Sequence, residues 1–63
     1  MKRFYTWELC NGSSEYLVDL WGGCEESVSW QKAKKHFREK GYTGKFLLIR
    51  KSGYGFKVWN INI

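Results

Sequence analysis

A helix marked at both of its ends lies near the middle of the chain and constrains the fold more than any other feature. Ser29 supplies an N-cap oxygen, and Val28 before it is placed to staple onto Ala33. Trp30, Ala33 and Phe37 follow at i, i+3 and i+7, the spacing of one helix face. Gly41 fits the left-handed position just past a helix end. In that frame Phe37 and Tyr42 are the pair whose apolar contact accompanies a Schellman ending. Lys35, Arg38 and Lys40 then sit near the negative pole of the helix dipole, and Glu25 and Glu26 just before the positive pole.

On either side of the helix the pattern is that of strands. Residues 3–10 (RFYTWELC) set Tyr5, Trp7 and Leu9 on one face and Phe4, Thr6, Glu8 and Cys10 on the other. Asn11-Gly12-Ser13-Ser14 is turn chemistry, which also accounts for the sequon-like Asn11-Gly12-Ser13. Residues 15–21 (EYLVDLW) alternate again, and Gly22-Gly23 is expected to stop them. The acid Asp19 in that strand suggests that Leu17, Asp19 and Trp21 point outward. Residues 45–51 and 56–63 form a second hairpin around Ser52-Gly53-Tyr54-Gly55. A two- or four-residue loop puts Leu47, Ile49 and Lys51 on one side with Phe56, Val58 and Asn60. Phe46, Leu48 and Arg50 then share the other side with Lys57, Trp59 and Ile61.

The expected fold is therefore α+β, a ββαββ two-layer sandwich. Its sheet has four mainly antiparallel strands, with one helix packed on one face, and residues 1–63 form a single domain. One helix covers only one face, and both faces of the second hairpin are apolar. Sixty-three residues is close to the lower limit for a self-sufficient core. The 19% aromatic content supplies large side chains for it, each able to bury roughly 150–250 Å².

Cys10 and Cys24 match no zinc spacing. In a hairpin of the first two strands they lie on the order of 25 Å apart, too far for a disulfide. Free thiols and a reducing, cytoplasmic location are expected. The longest aliphatic run is Leu47-Leu48-Ile49, so no membrane span is expected, and MKRFYTWELC lacks the apolar stretch of a signal peptide.

Catalysis finds little support. His36 is the only histidine, and it falls at the edge of the apolar helix stripe with no orienting motif that would pair it with either cysteine. It reads as a surface residue. The adjacent Glu25-Glu26 is explained by the helix start. Gly41-Tyr42-Thr43-Gly44 is formally a GxxG, but it joins a helix to a strand rather than two helices. Gly44-Lys45 lacks the spacing of a phosphate loop. No enzymatic activity, cofactor, metal or small-molecule substrate is expected.

Charge is the remaining signal. The chain carries +5, divided unevenly. Residues 1–28 hold two cations and five acids, whereas residues 29–63 hold nine cations and the single acid Glu39. A basic half of this kind attracts nucleic acid or an acidic protein surface. The expected function is a small, non-enzymatic module that binds DNA or RNA with low sequence specificity. Lys32, Lys35 and Arg38, spaced three apart on the helix, would meet phosphates together with Arg50 and Lys57. Trp59, Phe46 and Trp21 would offer faces for base stacking on the side of the sheet away from the helix. The alternative is a protein-binding accessory or inhibitor factor, of the kind small phage and mobile-element proteins provide. It would use an apolar sheet face for a partner protein or a homodimer.

Overall fold

A computed structural model describes residues 4–63. In chain order the elements are β1 (Phe4–Asn11), β2 (Leu17–Glu25), α1 (Trp30–Glu39), β3 (Lys45–Ser52) and β4 (Gly55–Asn62). Arg3, which the alternation assigns to the first strand, lies outside the described residues. The strands form one sheet in the order β2-β1-β3-β4, with every neighbouring pair antiparallel. The helix lies across one face, which gives the expected α+β two-layer arrangement.

The helix begins and ends where its caps direct. Ser29 Oγ accepts from the Lys32 amide at 3.3 Å. At the other end Gly41 adopts φ 99°, which only glycine enters without steric cost. The Gly41 amide donates to the Arg38 carbonyl at 3.0 Å and the Tyr42 amide to the Phe37 carbonyl at 3.4 Å, the Schellman pair. The rings of Phe37 and Tyr42 meet edge-on, 6.3 Å between centroids.

Both hairpins are closed by local chemistry. Asn11 Oδ1 accepts from the amides of Ser13 and Ser14 at 2.8 and 3.2 Å, shaping the first turn. In the second hairpin Ser52 pairs with Gly55, leaving the two-residue loop Gly53-Tyr54. That loop gives the facing expected for β3 and β4. Leu48 opposes Trp59 and Phe46 opposes Ile61, while Ile49 opposes Val58.

One element departs from the sequence reading. β2 does not stop at Gly22-Gly23 but runs through them to Glu25. The two glycines lie opposite Thr6, where the β1–β2 register shifts, and Gly23 takes φ 69°. They form a bulge inside the strand, a role glycine fills as readily as that of a terminator. The bulge brings Cys24 onto the same face as Trp21 and into the core.

That core lies between the helix and one sheet face. Trp7, Leu9, Leu48, Ala33 and Phe37 have no exposed surface, and Cys24, Phe46 and Ile61 complete the cluster. Of the two apolar sides of β3 and β4, the helix therefore takes the one bearing Phe46, Leu48 and Ile61. The pairing Leu9 with Leu48 couples that side to the apolar face of β1. The opposite face of β1 carries Glu8, a charge costly to bury under a helix.

Candidate nucleic-acid interface

The structure separates the eight residues that the sequence nominates. Arg50, Lys57 and Trp59 do come together. Arg50 and Lys57 are direct cross-strand partners, and Trp59 follows Lys57 two residues along the same face. Of the nominated stacking residues one is buried, and Trp21 and Trp59 are each half-buried against the core. Phe46 is a core residue at 9% exposure. Trp21 packs against the core and stacks on His36, with ring centroids 3.9 Å apart and planes 6° apart. The nominated surface was the sheet face away from the helix, yet Phe46, Arg50, Lys57, Trp59 and Trp21 all belong to the helix side. For β2 the difference lies at Asp19. A lone acid in an apolar strand suggested an outward face, but the helix end provides a partner for it.

Asp19 is opposite Leu9, on the helix side of the edge strand β2. Its Oδ2 accepts from Lys40 Nζ at 3.0 Å and from the Tyr42 hydroxyl at 3.1 Å. Those hydrogen bonds, Lys40 foremost, together with one from the Leu20 amide, hold its carboxyl below the usual range. The contacts tie the C-terminal end of α1 to β2. Nearby, His36 is half-buried rather than a surface residue. Its Nε2 is buried with no hydrogen-bond partner among the described residues. Burial, followed by the neighbouring Lys40, pushes its pKa down, so the ring that stacks on Trp21 is the neutral imidazole. No cluster of possible metal ligands occurs among the described residues.

The cationic corner sits beyond the helix, at the β3–β4 hairpin end of the same face. The Arg50 guanidinium lies over the Tyr5 ring, 4.6 Å from its centroid, and 5.7 Å from that of Trp59. Trp59 in turn packs on Trp7 at 5.3 Å. Two rings thus hold Arg50 by cation–π attraction, which fixes its orientation without consuming its N–H donors. A hollow of about 240 Å³ opens here, lined in part by Tyr5, Arg50, Ser52, Tyr54 and Lys57. Tyr5 and Tyr54 are additions to the sequence reading. Finding Tyr5 needs the β1–β3 adjacency, which the linear pattern does not contain.

Lys32, Lys35 and Arg38 are exposed on α1, away from the buried Ala33 and Phe37. Among the described residues, ion pairs engage Lys40 with Asp19 and Lys51 with Glu8. None of Lys32, Lys35, Arg38, Arg50 and Lys57 has an acidic partner there.

The face away from the helix has a different character. Across its middle, Leu20, Glu8, Ile49 and Val58 stand side by side in the register of the four strands. Phe56 opposes Lys51 on one flank, and Cys10 lies between Leu17 and Leu47 on the other. Phe4, Leu17, Leu20, Phe56 and Val58 are 57%, 53%, 49%, 69% and 46% exposed. Glu8 and Lys51 pair at 2.9 Å, and that contact raises the lysine pKa. Cys10 and Cys24 are both free and buried, and burial raises both thiols.

No protein family, curated protein or solved structure matches the chain. No helix among the described residues is long and apolar enough to cross a membrane.

Proposed function

We propose that this protein is a small, non-enzymatic nucleic-acid-binding module of low sequence specificity, with its helix side as the contact surface. One observation carries the reading. Cations without acidic partners among the described residues gather on the helix side, among them Lys32, Lys35 and Arg38 on α1 and Arg50 and Lys57 on the sheet beyond it. Phosphates are the natural ligands of such a surface. Arg50, held by Tyr5 and Trp59, is preorganised for a bidentate phosphate contact. With Phe46 buried, Trp21 stacked on His36 and Trp59 half-buried between Trp7 and Arg50, base stacking is limited to the exposed edge of Trp59 and to Tyr54 and is secondary. Affinity should therefore come chiefly from the backbone and differ little between sequences. The free thiols Cys10 and Cys24 suit the reducing cytoplasm in which we place the protein.

Titration of fluorescent single- and double-stranded oligonucleotides across a salt series tests the reading. The expected result is a steep linear fall of log affinity with log salt. Its slope should be about −0.7 per phosphate contacted on single strands and about −0.9 on duplex. Lys57→Ala and Lys35→Ala should each reduce the slope by about one phosphate's share while weakening all sequences alike. Absence of binding to any DNA or RNA at low salt would sink the proposal.

A further inference from the structure

We infer that the sheet face opposite the helix is the interface of a homodimer, in which two copies of this chain pack sheet against sheet. This stands apart from the nucleic-acid reading, because it uses the other side of the molecule.

The first argument is area. Phe4, Leu17, Leu20, Phe56 and Val58, at 46–69% exposure, leave roughly 500 Å² of apolar surface in water. The whole chain exposes 4527 Å², so more than a tenth of it is concentrated in five side chains of one face. A standard interface buries about 800 Å² per partner, close to a tenth of a small protein's surface. The half-buried Leu47 and Ile49 and the exposed stem of Lys51 extend the face toward that size.

The second argument is charge. The chain is strongly basic, yet the described charges of this face offset one another: Glu8 pairs with Lys51 at 2.9 Å, and Glu25 opposite Phe4 balances Lys45 opposite Asn62 at its ends. A neutral face gives no hold to a polyanion or to a strongly acidic partner. It is, however, self-complementary. A two-fold axis sets the Glu8–Lys51 pair of one copy head-to-tail against that of the other, with apolar side chains meeting around them. Two sheets packed in this way bury side chains about 10 Å deep between them, as in a sandwich core. The basic helix sides then point outward, away from each other, where their mutual repulsion is weakest.

Sedimentation equilibrium from micromolar to millimolar protein tests the inference. The wild type should approach twice the 7.5 kDa of one chain. Val58→Lys and Leu20→Lys, on opposite edges of the face, should each weaken dimerisation by at least ~100-fold, because each buries an unpaired charge. Both positions are already exposed, so circular dichroism and binding to single-stranded DNA at protein concentrations below dimerisation should stay as in the wild type. Lys57→Ala, on the helix side, should remain dimeric. A wild type that stays at 7.5 kDa at millimolar concentration would overturn the inference, whatever its DNA affinity. So would a larger assembly, or a dimer that survives both lysine substitutions.

Discussion

Trp7, Leu9 and Leu48 have no exposure on the helix side of the sheet, while Phe56 and Val58 on the opposite side keep 69% and 46% of theirs. The same strands supply both faces, with side chains alternating one residue at a time. Hydrophobicity alone does not distinguish them, since β3 and β4 are apolar on both sides. The first difference lies in β1, which offers Trp7 and Leu9 to one face and Thr6 and Glu8 to the other. A second is the helix, whose Ala33 and Phe37 are spent on the first face. Stability accordingly resides on the first side, while the second keeps large apolar side chains in solvent.

Four substitutions test that contrast. Phe37→Ala should have the largest effect, about 3–5 kcal/mol in chemical denaturation, because it empties the centre of a core with few members. Phe56→Ala removes a side chain of the same type from the bare face. In dilute, monomeric protein it should cost no more than about 0.5 kcal/mol. Similar losses at the two positions would mean that the faces are not energetically distinct. Gly41→Ala tests the device that ends the helix over the core. At φ 99° an alanine should cost about 1–2 kcal/mol, with little change in binding.

Asp19→Asn should likewise have a small effect, about 0.5 kcal/mol, since the pair with Lys40 is partly solvated and screened. Its pH signature is more informative than its size. The Asp19 carboxyl is depressed in the folded state. Its contribution is therefore complete above the ordinary carboxylate range and is lost as pH falls through the folded pKa. His36 is depressed as well, mainly by burial. Below about pH 6.5 the unfolded chain takes up that proton first, so stability declines from there and levels off once the folded imidazole is also charged. Wild-type stability against pH should show both declines, whereas Asp19→Asn should retain only the upper one. An unchanged acid limb in the variant would remove Asp19 as the tie between α1 and β2.

Local chemistry was legible along the chain. Ser29, Gly41 and the Phe37–Tyr42 contact define the helix through bonds that close within a few residues. The facing of β3 and β4 followed from a loop that permits few registers. Gly22-Gly23 was ambiguous for a local reason, because the conformational freedom that ends a strand also allows a bulge within one. Asp19 misled because its partners, Lys40 and Tyr42, are 21 and 23 residues away.

The order ββαββ and the facing of the second hairpin follow from the sequence alone, whereas in the first hairpin the register shift at Leu9/Cys10 puts Leu17 on the face of Leu20 rather than that of Asp19 and Trp21. Which face the helix covers is settled by contacts distant in the chain. That choice depends on β1 pairing with β3, which places Leu9 beside Leu48 and Glu8 beside Ile49. Once those strands are neighbours, burying Trp7 and Leu9 commits Phe46 and Trp59 to the helix side and leaves Glu8 outside. No short-range signal encodes that step, since it is set by the cost of burying one carboxylate against the gain from burying two large apolar side chains.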